Sequence, residues 1–307
     1  MLSRKLNKYD LKKIVIYVIV PGLAHLAISS IKLLGSDYPI VVINNGLDNE
    51  SYDRLKKALP LVHFIKMRNN KFFGNCMVTP HMEVLNTYAG IAKEGTIFID
   101  ADCYVFNPMI MDEIWNKISD SFLVTPFWYF NTEMNIHIPD TFLFGVNRQQ
   151  FLNLRQNYGV SFGAQQFPSR LKNLAHSKWG KSIPWPHPWK KYFDTVHIPA
   201  LSALLLGLEL EMLKYNRGDL YHVSGTSYTT KNLQPPRSEN HHILNAHYFH
   251  LLMIETFEWS WAKRQFKTMI NHYRSAEGLL INNPGYETSL YRLEIDELVQ
   301  RLKKRMV

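Results

Sequence analysis

Four short apolar runs rich in β-branched residues mark the first hundred positions: Lys13–Val20, Ile40–Ile43, Val62–Ile65 and Thr96–Ile99. Between them, Ala24–Leu34, Ser51–Ala58 and Pro80–Lys93 carry apolar residues at helical spacing. A chain that alternates in this way buries its strands by laying helices over both faces of a mostly parallel sheet. An α/β fold with a Rossmann-like, mostly parallel central sheet is therefore expected. Ligands of such sheets bind beyond the carboxyl ends of the strands. Further along, the pattern predicts a helix over Met109–Ile118, strands over Ser121–Phe130 and Thr141–Val146, a helix over Ala200–Leu213 and a strand over Leu220–Val223. Residues 178–192, rich in Trp, Pro and Lys, read as an irregular loop, and a helical region follows Pro235-Pro236.

Other classes of protein fall away on simple counts. The apolar stretch 14–34 is broken by Pro21-Gly22 and then carries His25, Ser29, Ser30 and Lys32. A strand, a turn and a helix explain it better than a membrane span of about 20 apolar residues. It lacks a small-residue cleavage site, so a signal peptide is not expected. Two cysteines, Cys76 and Cys103, make no disulfide framework, which favours a reducing, cytoplasmic setting.

The 307 residues carry 35 Lys and Arg against 26 Asp and Glu, a net charge of +9. Of this excess, +4 lies in residues 1–13 and +2 in residues 290–307. A nucleic-acid groove needs basic residues clustered with aromatics through the body of a domain, so nucleic acid is the least supported anionic partner. Leu290, Leu293, Leu298 and Leu302 recur at helical spacing near the C-terminus. This predicts an amphipathic helix whose basic end either contacts an anionic membrane, as a peripheral protein on its inner face, or is simply solvated.

The sharpest chemical signal is Thr96-Ile97-Phe98-Ile99-Asp100-Ala101-Asp102-Cys103. An apolar strand delivers two carboxylates, two residues apart, to its carboxyl tip. Hard divalent cations such as Mn²⁺ or Mg²⁺ take oxygen ligands of this kind and bridge to substrate phosphates. Such a cation offsets the charge that builds on a departing diphosphate. The plain alternative is a pair of surface carboxylates at the turn before Asn107-Pro108.

Two families place D-x-D at a strand tip. In dehalogenase-type phosphohydrolases the first Asp is a nucleophile, but those prefer Thr or Val where Tyr104 stands, and a position near the N-terminus. The chain resembles more closely the GT-A-fold, nucleotide-sugar-dependent glycosyltransferases, over about Lys13–Ser227. The resemblance implies transfer of a sugar from a nucleotide-diphosphate sugar to the hydroxyl of a glycan or glycolipid acceptor, with Mn²⁺ or Mg²⁺ on Asp100 and Asp102. It divides the chain into a catalytic domain, 1–232, with a donor half near 13–106 and an acceptor half near 107–232, and a helical extension, 233–307. In the glycogenin-like and bacterial galactosyltransferase-like branch, an H-x-x-G supplies a further metal ligand, and His222-Val223-Ser224-Gly225 matches it. Tyr228 stands where that branch continues with Lys.

The same resemblance sets Asn44-Asn45-Gly46 against the base and ribose of the donor, and Asn75, His81 and Asn86 near its sugar and diphosphate. Arg68 and Lys71 are diphosphate contacts by charge. Asp194, before a helix, is the implied catalytic base, with Asp140 as its competitor; a helix cap is the other reading of Asp194. Trp179, Trp185, Trp189 and Tyr192 form either an acceptor platform or core anchors. Among His241, His242, His247 and His250, only the last two share a helical face, so zinc is not expected there. A non-catalytic carbohydrate-binding or membrane-surface protein is the remaining alternative.

Overall fold

The computed structural model describes residues 12–67, 71–73, 76–180, 193–216, 218–223, 226, 241–266 and 288–306. The first half runs β1 (Lys13–Ile19), α1 (Ala24–Leu34), β2 (Ile40–Asn44), α2 (Asn49–Ala58), β3 (His63–Lys66), the short strands β4 (Lys71–Phe73) and β5 (Cys76–Val78), and α3 (His81–Tyr88). There follow β6 (Gly95–Ile99), β7 (Cys103–Val105), α4 (Pro108–Lys117), β8 (Leu123–Thr125), β9 (Trp128–Asn131), β10 (Ile136–Pro139) and β11 (Leu143–Asn147). The remainder is α5 (Arg148–Tyr158), α6 (Ser169–Trp179), α7 (His197–Leu205), β12 (Leu210–Met212), β13 (Leu220–His222), α8 (His241–Thr256), α9 (Ser260–Gln265) and α10 (Thr288–Met306).

Seven strands form the central sheet in the order β12-β8-β11-β6-β1-β2-β3. Pairings β1–β2, β1–β6, β2–β3 and β8–β12 are parallel, while β11 lies antiparallel to both β6 and β8. Six strands thus point one way and β11 alone points back, which brings the residues before β11 to the edge where the others end. Alternate side chains enter opposite cores: Val15, Tyr17, Val42 and Ile97 on one face, Ile14, Ile16, Val41 and Phe98 on the other. Each such Val or Ile, fully buried, contributes about 1.5–3 kcal/mol. Helices cover both faces, as the continuous apolar runs require.

Local rules explain most boundaries. Asp48 caps α2 by accepting from the Ser51 amide at 2.9 Å, and Asn107 caps α4 with Pro108 at its first position. Gly145 is needed in β11 because a Cβ there would stand 2.8 Å from Ile114 of α4.

Three expectations are corrected. The helix read over Ala200–Leu213 is α7 at His197–Leu205 followed by β12, because Gly207 turns the chain with φ +73° and frees Leu210–Met212 to pair with β8. The strand read over Ser121–Phe130 breaks at Pro126 into β8 and β9, and β9 leaves the sheet to pair with β10. In α10 the buried stripe is Ile295, Leu298, Val299 and Leu302, whereas Leu293 is 59% exposed. That stripe packs on α8 and α1, and Arg301 ties α10 to the Gly218 carbonyl at 2.6 Å. Among the described residues, no helix is long and apolar enough to cross a membrane.

Candidate active site

Asp100 and Asp102 emerge at the carboxyl end of β6, the strand paired with β1 at the middle of the sheet. The Asp100 amide donates to the Phe142 carbonyl at 2.9 Å, so the segment before β11 is fastened beside the carboxylates. After Asp102 the chain turns into β7, which pairs antiparallel with β13 and sets His222 opposite Cys103. That pairing is how a histidine far along the chain arrives here. One ligand atom each from Asp100, Asp102 and His222 lie within 4.8 Å of one another. His222 Nε2 is 3.4 Å from Asp102 Oδ1, and its ring stacks on Phe142 at 3.6 Å.

The electrostatics follow from burial and crowding. Burial, and then the Asp102 charge, push the Asp100 carboxyl up to about 8. For Asp102, burial acts upward, but His222 and the Thr226 hydroxyl outweigh it, and the carboxyl lies below its ordinary value. His222 is raised: burial favours its neutral form, and the Asp102 charge overrides this. Two carboxylates and an imidazole this close form a donor set that fits one divalent cation, whose charge would relieve the Asp100–Asp102 conflict.

A second group stands next to the first. Asp140, Asp194 and His197 likewise offer ligand atoms within 4.8 Å of one another, and both Asp140 and Asp194 act electrostatically on Asp100. Asp140 precedes the reversed strand β11, and Asp194 and His197 lead into α7. The Asp194 amide donates to His197 Nδ1 at 2.8 Å, and Asp194 Oδ1 accepts from the Thr195 amide at 2.7 Å. The two rivals for one role in the sequence are therefore neighbours in space.

Other sequence candidates fare variously. Asn44 and Asn45 are buried at the tip of β2, where Gly46 turns with φ 99°. Asn45 commits both halves of its amide to the backbone of Thr79, at 2.8 and 2.7 Å, and Asn44 Oδ1 accepts from the Leu47 amide. These bonds make Asn45 a strut between β2 and the segment after β5. Asn86 similarly clamps both backbone groups of Phe162. His81 opens α3 and is exposed. Arg68, Asn75, Trp185, Trp189 and Tyr192 lie outside the described residues, and Trp179 packs on Phe167 at 6.0 Å. Cys103 is buried. Sequence reasoning passed over Thr226, Phe142 and His197. Only His197 left a signal, a histidine three residues after an Asp before a helix.

Residues 3–151 match the family model described as the StrH glycosyltransferase N-terminal domain. No curated protein matches the chain. Among solved structures, an active-site mutant of LgtC aligns at 8% identity and TM-score 0.33, over 50% of this chain and 66% of that one. The glycosyltransferase GlyE of Streptococcus pneumoniae TIGR4 aligns at 10% identity and TM-score 0.39 over 82% of this chain, which spans about half (51%) of GlyE. A putative nucleotide-diphospho-sugar transferase of Desulfovibrio desulfuricans G20 aligns at 9% identity and TM-score 0.39, over 87% and 98%. Residues 3–151 thus resemble a glycosyltransferase N-terminal domain of the StrH kind, and the chain as a whole has an α/β fold with a mostly parallel seven-stranded sheet flanked by helices.

Proposed function

We propose that the protein is a divalent-metal-dependent glycosyltransferase that moves a sugar from a nucleotide-diphosphate sugar to a hydroxyl of a glycan or glycolipid. The observation that carries this reading is the convergence of Asp100, Asp102 and His222 at the carboxyl edge of the sheet. Those three side chains would hold Mn²⁺ or Mg²⁺, which would supply positive charge to offset that of the departing diphosphate. Asp194, beside Asp100 and at the entry to α7, takes the proton of the acceptor hydroxyl; Asp140 lies beside it in the same group. The acceptor oxygen forms the new bond to the anomeric carbon while the bond from that carbon to the diphosphate oxygen breaks. Asn44 and Asn45 shape the floor under the nucleoside, with Arg68, Asn75 and His81 assigned to the donor side. Residues 1–232 act as the catalytic unit and 233–307 as a helical extension of it.

Contact with an anionic membrane belongs to the same proposal. Lys303, Lys304 and Arg305 are exposed at the end of α10. Nearby, a cavity of about 390 Å³ is lined by Lys32, Arg54 and Lys57 together with Phe257, Trp259 and Trp261. Cations over an aromatic floor match the border between lipid headgroup and acyl chain.

The test is turnover of a panel of nucleotide sugars with Mn²⁺. Asp100→Ala and Asp102→Ala are expected to lose at least on the order of 100-fold in rate while remaining folded. Full activity of the double variant, or of the wild type in EDTA, would overturn the reading. Release of phosphate from generic esters through an aspartyl-phosphate at Asp100 would favour the phosphohydrolase instead.

A further inference from the structure

Asp102 is reached from behind by a line of buried polar groups that starts on α1. His25 Nε2 lies 2.9 Å from His250 Nδ1, and His250 Nε2 lies 3.3 Å from the Thr226 carbonyl. Both imidazoles are fully buried, among Trp259, Trp261 and Phe266. A carbonyl only accepts, so His250 donates through Nε2 and must accept at Nδ1. His25 is then the donor at Nε2, which leaves its buried Nδ1 as an acceptor with no hydrogen-bond partner among the described residues. The direction of every bond is thereby fixed. Thr226 closes the line, since its hydroxyl donates to Asp102 Oδ2 at 2.5 Å.

The consequence falls on the carboxylate. One oxygen of Asp102 is held by Thr226 and the other faces His222 at 3.4 Å. The Val223 amide also donates to the Asp102 carbonyl at 3.1 Å, so side chain and backbone are both pinned from the β13 side. Asp100 stands close by, and once both carboxyls are ionised, a carboxylate free to rotate about its Cβ–Cγ bond would turn away from its neighbour. We propose that Thr226 is a positioning residue that fixes the rotation of Asp102, and that the His25–His250 pair holds Thr226 in place. Through this line α1 and α8, packed against each other outside the site, set the geometry of a cation ligand. The inference rests on the reading of Asp102 as such a ligand.

Direct Mn²⁺ binding, followed by electron paramagnetic resonance with Mn²⁺ alone and with Mn²⁺ plus UDP, tests it without any need for turnover. Thr226→Val keeps the shape and removes the hydroxyl; it is expected to weaken Mn²⁺ about 10- to 100-fold, as loss of a partner behind a ligand does. Thr226→Ser restores the donor and should bind within about twofold of wild type. His250→Phe preserves a ring among the aromatics and should weaken Mn²⁺ in the same direction in protein that remains folded at pH 7. Equal affinity in wild type and a folded Thr226→Val protein would overturn the positioning role and leave the functional reading intact. A wild type that binds no Mn²⁺ would instead overturn the functional reading, and this inference with it.

Discussion

Asp100 and Asp102 sit two residues apart and behave as opposites. Asp102 is stabilised as an anion by His222 and Thr226, whereas Asp100, buried and facing that anion, holds its proton up to about pH 8 without a cation. The asymmetry makes a prediction at this scale. In metal-free Asp102→Asn protein the like charge is gone, so the Asp100 pKa should fall below 8 yet stay above the ordinary carboxyl value because burial remains. Carbon-detected NMR titration of the Asp100 carboxyl reads this shift, and an unchanged value would show that the two carboxylates do not interact. The place of Asp100 and Asp102 at a strand tip was legible in the sequence, because an apolar run that ends in two acids marks the end of a strand. The grouping of Asp140 with Asp194 was not legible. It depends on β11 running backwards, and nothing in Thr141–Val146 encodes strand direction. Asn45 shows a different limit: a turn-forming amide reads alike whether it meets a ligand or, as here, the backbone of Thr79.

At the scale of elements, apolar runs bounded by turn residues were a sound guide, and runs that span a Gly or a Pro were not. Strands β1, β2 and β6 and helix α1 lie where the pattern placed them. The run ending at Leu213 has the same composition as a helix, and Gly207 alone marks its conversion into β12. The packing of α8 on α1 carries a pH-dependent cost that can be measured. Burial lowers His25 well below the usual imidazole value and brings His250 down to about 4. Above about pH 6.5 both states of the protein hold these histidines neutral, and the pair's contribution is complete. As pH falls from there toward 4, the unfolded chain takes up protons that the folded one refuses, and stability drains away. For His250 alone the loss is about 3 kcal/mol once pH lies below both values. Thermal melts between pH 7 and 4 should therefore show wild type losing ground relative to His250→Phe. Parallel profiles for the two proteins would contradict this account of the pair.

Across the whole molecule, the net charge of +9 resolves into separate parts. The body carries the Asp100, Asp102 and His222 cluster proposed to hold a cation, and the excess of positive charge gathers toward the ends of the chain, one of which is the exposed Lys303-Lys304-Arg305 turn of α10. The apolar face of that helix is already spent on Ile295, Leu298, Val299 and Leu302, so only its basic rim and the adjoining aromatic cavity remain for a membrane. Binding should then be electrostatic and salt-sensitive. Vesicles containing phosphatidylglycerol should sediment the protein at low salt, and Lys303→Glu/Lys304→Glu/Arg305→Glu should abolish this; equal sedimentation of the variant would remove the surface from the account.

The central claim is that a divalent cation on Asp100, Asp102 and His222 binds a nucleoside diphosphate. Calorimetric titration of UDP, GDP, CDP and dTDP into the protein, with Mn²⁺ and with EDTA, addresses it most directly. The account predicts saturable heat for at least one nucleotide with Mn²⁺, none in EDTA, and none for Asp100→Asn/Asp102→Asn in either buffer. Nucleotide binding of equal strength in EDTA, or in the folded double variant, would contradict it.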